Sequence, residues 1–242
     1  MFRRLMQLAG VATVLATGGA ALATTTPTNI PNSLRDQAGS NAARDVLIRT
    51  DEALNSITYT YYSTLGVWKP WDGIYKVVCA RFITNILNDA VPERLDVILD
   101  AADNTFPTLA VWEYYPFFRN IPFGSTRDEW KRITKVSDLR PGDLVVWKWA
   151  GSHDGDSWGH IVIVASKPER DTRWSGAYKV RVADSSRSGH SNDNRGATGS
   201  GVGAGEMLLR ANSEGKVYNL AWTLKGLWRD DLAGMAMVRP AD

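Results

Sequence analysis

The segment YKVVCARF, residues 75–82, carries the only cysteine among 242 residues, and the chain has only three histidines. Hydrolysis by a cysteine nucleophile needs a thiolate, an imidazole that pairs with it and moves its proton, and a third group that orients the imidazole. His160 is the best-placed base. It follows Gly159 directly and opens the strand-like run HIVIV, where a rigid element can aim it, whereas His153 and His190 lie in polar loops. Asp184 ends the patterned run Tyr178 to Asp184, 24 residues beyond His160. If the two runs are neighbouring strands, its carboxylate reaches the far ring nitrogen and fixes the tautomer. Asn192 and Asp193 are weaker candidates for that third place. Each residue also has a plainer reading: Cys79 as an inert core thiol, His160 as an edge residue and Asp184 as the start of a turn.

The elements that must position these residues follow from the pattern around them. Phe82, Ile83, Ile86 and Leu87 share one helical face, which puts Cys79 in the first turn of a helix. Free amides and the dipole at such a terminus favour a thiolate. Residues 92–103 predict a second helix, with Pro92 in its first turn. The apolar run over 104–125 is broken by Pro107, Pro116 and Pro122; it reads as a covering loop or substrate wall, or as aromatic packing between lobes. Thr126 and Glu129 form a capping-box pattern that predicts a short helix over 127–134. From PGDLVVW onward the chain reads as strands near 144–147, 160–164, 178–184, 205–211, 216–224 and 233–239. The fold class is therefore α+β, with helices packed on an antiparallel sheet. Residues 31–57 predict one or two helices, capped by Ser33 and Asn41, on the outside of the domain.

Between the later strands, residues 185–205 are polar and glycine-rich and read as a long flexible loop. Its GxGxG at 201–205 precedes a strand and not a helix, so it is not a dinucleotide fingerprint. Arg3 and Arg4 precede a mostly apolar run that ends in Ala21-Leu22-Ala23, the pattern of a signal peptide cleaved near Ala23 with no membrane anchor left behind. The expected organisation is a leader over 1–23, a helical extension over 24–58 and a hydrolase domain over 59–242, enlarged at about 88–136. Lys and Arg number 28 against 26 Asp and Glu, and removing Arg3 and Arg4 leaves 26 against 26. A near-neutral chain has no basic footprint for nucleic acid. An exported chain with one cysteine has no internal disulfide, and an exposed unpaired thiol is a liability there unless it has a use.

In order and context, Cys79, Pro141-Gly142-Asp143-Leu144-Val145, Gly159-His160-Ile161-Val162-Ile163 and Asp184 resemble the papain-like exported hydrolases of the NlpC and CHAP types. Those begin a helix with cysteine, enter a strand with "GDLV", open the next strand with "GH" and carry a polar third residue on the strand after it. The resemblance covers about residues 60–185. Two departures stand out: Val78-Cys79-Ala80-Arg81 replaces the usual Asp-Cys-Ser-Gly context, and 81 residues separate Cys79 from His160. The resemblance implies a papain-like core and cleavage of amide or peptide bonds, most often in peptidoglycan. It makes Cys79 the nucleophile, His160 the base and Asp184 its orienter, and it calls for no cofactor. The Cys79 amide would donate to the oxyanion. Tyr75 is a second donor candidate by proximity, with core packing as its other reading, and Trp112 and Trp158 are candidate substrate walls.

Two other readings compete. A metal hydrolase would draw on His153, Asp154 or Asp156, and His160, residue types that suit zinc but form no recognised motif here. A non-catalytic envelope-binding module on the same fold would stack Trp68, Trp71, Trp112 and Trp158 on sugar rings.

Overall fold

The computed structural model describes residues 30–104, 108–151, 158–195 and 199–242. The expected leader and the three loop residues His153, Asp154 and Asp156 lie outside them. No described helix is long and apolar enough to cross a membrane.

The chain first lays down α1 (Asn32–Arg35) and α2 (Asn41–Ser56). A small sheet follows, made of β1 (Tyr59–Tyr61), β2 (Val67–Lys69) and β3 (Ile74–Lys76), with β3 in the middle. Three helices come next: α3 (Cys79–Ala90), α4 (Pro92–Ala101) and α5 (Val111–Arg119). The remaining strands are β4 (Thr126–Arg127), β5 (Trp130–Arg132), β6 (Leu144–Trp149), β7 (Gly159–Val164), β8 (Glu169–Arg170), β9 (Ala177–Ser186), β10 (Gly201–Ala211), β11 (Val217–Ala221) and β12 (Leu232–Pro240). They form one antiparallel sheet in the order β11-β10-β9-β7-β6-β12-β5-β4, with β8 beside β9. The architecture is α+β, with helices on a multi-stranded antiparallel sheet. Alternation along each strand feeds two cores. Val146, Ile161, Ile163 and Ala183 meet the helices, while Val145, Trp147, Val162, Val180 and Val182 fill the opposite face.

Three expectations are corrected. Residues 127–134 are a hairpin and not a helix: Asp128 and Glu129 both have positive φ (49° and 61°), the two-residue turn that suits strand twist. Trp130 and Arg132 then alternate inward against β12. The aromatic run is helical in α5 despite its prolines. Its buried stripe Val111, Tyr114, Tyr115 and Phe118 has helical spacing, and Glu113 accepts the Ala110 amide at 2.6 Å. Pro116 sits on the exposed face of α5. Finally, α2 is not an outer layer. Ala43, Val46 and Leu47 are fully buried, and its cap is Ser40, whose Oγ accepts the Ala43 amide at 3.0 Å; Pro31 rather than Ser33 precedes α1.

The PGD segment explains how α2 is fastened. Gly142 has φ of +90°, and a Cβ there would fall 1.9 Å from the Ala43 carbonyl oxygen. Asp143, fully buried, takes two bonds from Arg239 of β12 at 2.7 and 2.9 Å and one from the Arg140 amide at 2.8 Å. Gly142→Ala must therefore separate α2 from the turn and adopt a strained φ. We expect a loss of about 2 kcal/mol or more, read as a fall of roughly 4–8 °C in melting temperature by calorimetry.

Candidate functional site

Cys79 is the first residue of α3, 3% exposed. The apolar stripe of Phe82, Ile83, Ile86 and Leu87 fixes the helix in the core shared with the inner face of the sheet. Val78, extended at φ −81° and ψ 168°, precedes the helix and supplies no side-chain cap. The first helical bond runs from the Phe82 amide to the Val78 carbonyl at 3.0 Å, so the amides of Cys79, Ala80 and Arg81 have no acceptor within the helix.

His160 lies opposite Trp147 in the β6–β7 register and is 7% exposed. The strand pairing expected between its run and that of Asp184 is present: Ile163 lies opposite Ala183 and Val164 opposite Val182. His160 is three residues before Ile163 and Asp184 one residue after Ala183, and these odd offsets put both on one face. The result is a bond of 2.6 Å between His160 Nε2 and Asp184 Oδ2. Trp147 and Trp222 hold the ring with centroids 5.2 and 5.1 Å away. Burial alone would lower the His160 pKa; the charge of the Cys79 sulfur and the bond to Asp184, with a hydrogen bond to Cys79, instead push it up to about 10. With Nε2 bonded to Asp184, Nδ1 is the ring nitrogen left for another partner.

One further alternation joins the two halves of the site. The residue after Asp184 faces the other way, and Ser185 Oγ donates to the Val77 carbonyl at 2.6 Å, two residues before Cys79. One strand thus holds both the imidazole partner and the chain entering the cysteine helix.

Residues 187–195, expected to be a loose loop, are packed onto this strand. His190 and Arg195 are buried, and both reach Asp184: His190 Nε2 at 3.3 Å from Oδ1, and Arg195 Nη2 in contact with Oδ1 and 3.1 Å from the backbone carbonyl. His190 Nδ1 lies 3.0 Å from the Trp222 carbonyl. Burial alone would raise the Asp184 carboxyl, but Arg195, then His190, then the bond from His160 hold it well below the usual carboxylate range. Asp193 does not take the third place beside His160; it accepts the amides of His190 and Arg195 at 2.9 and 2.8 Å, and Asn192 turns outward to Glu206. The glycines explain the close approach. A Cβ on Gly203, opposite Asp184, would fall 2.3 Å from Arg195 Cγ, and one on Gly205 would fall 2.7 Å from Asp193 Oδ2. Alternate glycines inside a strand are the sign in the sequence that another segment lies against it.

A cavity of about 370 Å³ opens at Cys79, within the range of about 300–1,000 Å³ usual for ligand sites. Its walls include Tyr62 and Ser63, the first turn of α3, and the start of α5. Trp112, 52% exposed, and Trp158 line it edge to face, 6.3 Å apart. Tyr75 does not reach it: the ring is fully buried and its hydroxyl lies 2.5 Å from Ser56 Oγ, so it packs the core. Trp68 likewise packs on Tyr75 and Phe82, whereas Trp71 is 98% exposed. Among the described residues no group of three or more His, Cys, Asp or Glu could hold a metal.

No family of proteins, no curated protein and no solved structure matches the chain.

Proposed function

We propose that the chain is an exported cysteine hydrolase that cleaves amide or peptide bonds, with peptidoglycan stem peptides as its first substrate class, on a papain-like core. The observation that carries this reading is the buried His160–Asp184 bond of 2.6 Å beside a cysteine that begins a helix and lines a cavity. His160 draws the Cys79 thiol proton, and Asp184 holds the imidazolium that forms. The Cys79 sulfur attacks the carbonyl carbon, and the oxyanion meets the open amide of Cys79, a donor worth about 3 kcal/mol in comparable sites. His160 gives its proton to the leaving amine as the C–N bond breaks, leaving a thioester. It then takes a proton from water, which attacks the thioester, and the acid leaves as the thiolate–imidazolium pair is restored.

The test is to incubate the purified protein with peptidoglycan and defined muropeptides and to follow new primary amines and product masses. Cleavage by the wild type and none by Cys79→Ala is the expected result. The exposed Trp112 and Trp71 favour a second reading, a non-catalytic envelope-binding module. Co-sedimentation with peptidoglycan, without products and without labelling of Cys79 by an electrophile, would put that reading first.

A further inference from the structure

Arg81 occupies the same cavity as Cys79, in the first turn of α3, and its charge is uncommitted. The Nε is buried with no hydrogen-bond partner, and among the described residues no carboxylate forms an ion pair with the guanidinium. The carboxylate that lines the cavity is already used: Glu113 accepts Asn104 Nδ2 at 2.7 Å on one oxygen and the Ala110 amide at 2.6 Å on the other. The guanidinium is kept near the loop between β1 and β2, where a Cβ on Gly66 would lie 3.8 Å from Arg81 Cζ. A buried Nε left without an acceptor costs free energy, and the planar fork of donors it belongs to is the group best suited to a carboxylate.

We propose that Arg81 is the specificity-determining residue of this cavity and that it binds a carboxylate on the substrate, so that the compound cleaved is an acidic amide or peptide. The inference rests on the cysteine-hydrolase reading for its reaction. A neutral side chain at this position would leave the cavity wall without a cation. Trp112 and Trp158 then face the uncharged part of the ligand, and the carboxylate lies on the Arg81 side.

The experiment compares bromoacetyl-glycine and bromoacetyl-β-alanine with their carboxamides as alkylating agents of Cys79, by intact mass, in the wild type, Arg81→Met and Arg81→Lys. The expected result is that the wild type reacts about tenfold faster with at least one acid than with its amide. Arg81→Met should lose that preference, its acid-to-amide rate ratio falling to about one, and Arg81→Lys should recover only part of it. Succinate should also slow amide labelling of the wild type in a way that equal ionic strength of chloride does not, a readout that needs no variant. Equal acid-to-amide ratios in wild type and Arg81→Met, or no protection by succinate, overturn the carboxylate site while leaving the hydrolase reading intact. Failure of every probe to label folded Cys79 overturns the hydrolase reading, and the inference with it.

Discussion

Replacing His160 by alanine is expected to lower substrate hydrolysis by about 10⁴-fold or more and to slow alkylation of Cys79 at neutral pH. In the proposed mechanism the imidazole serves in three steps: it draws the thiol proton, protonates the leaving amine and deprotonates water. Among the described residues no other group is placed to replace it. His190 is the only other described histidine, and its two nitrogens are turned to Asp184 and to the Trp222 carbonyl. The ring sits against Trp147 and Trp222, so alanine also leaves a gap in an aromatic stack. His160→Gln, which fills more of that gap, separates loss of chemistry from loss of packing. Both variants should be inactive, and the glutamine variant should melt closer to the wild type. Full activity in either would remove His160 from the mechanism.

The pH profile follows from the same ring. Its folded pKa, about 10, lies above the ordinary value of about 6.5, so the folded state binds this proton more tightly than the unfolded chain. That contribution to stability is fully present below about pH 6.5 and is lost as pH rises through about 10. In the hydrolase reading, alkylation of Cys79 at neutral pH should be faster in the wild type than in His160→Gln, read by intact mass. Denaturation midpoints of wild type and His160→Gln should converge as pH approaches 10.

The helix and strands that carry Cys79, His160 and Asp184 are legible in the sequence, but the packing around them is not. Cys79, His160 and Asp184 were legible because each sits in a strongly patterned helix or strand, and the face that each occupies follows from that period. The helix at 127–134 was misread because a capping box records a local preference, whereas pairing of Trp130 and Arg132 with β12 is a contact across about a hundred residues. Pro116 hid α5 for a related reason: the penalty depends on whether the freed carbonyl is buried, and that depends on tertiary structure. Residues 187–195 looked flexible because His190, Asp193 and Arg195 are polar. Their partners are one another and Asp184, and only the glycines of β10 hinted that a chain lies against that strand.

That frame makes Asp184 the position where substitution should cost most stability. Its carboxylate is fully buried and meets His160, His190 and Arg195 at once. Removing it by Asp184→Ala leaves a buried guanidinium and two imidazoles without their common counter-charge. Breaking a buried pair in this way costs about 3–5 kcal/mol, here a fall of roughly 6–20 °C in melting temperature. Asp184→Asn keeps the shape and one acceptor but removes the charge that stabilises the His160 imidazolium. It should fold better than the alanine variant and still lose about 10²–10⁴-fold in hydrolysis. The acid limb gives an independent check. Because the folded carboxyl is held well below its ordinary value of about 3.9, its contribution is present above that pH and is lost as pH falls through the folded value. The gap in stability between wild type and Asp184→Asn should therefore be widest near neutrality and narrow in acid. A gap that stayed constant down to pH values below about 3 would mean that Asp184 contributes by shape and not by charge.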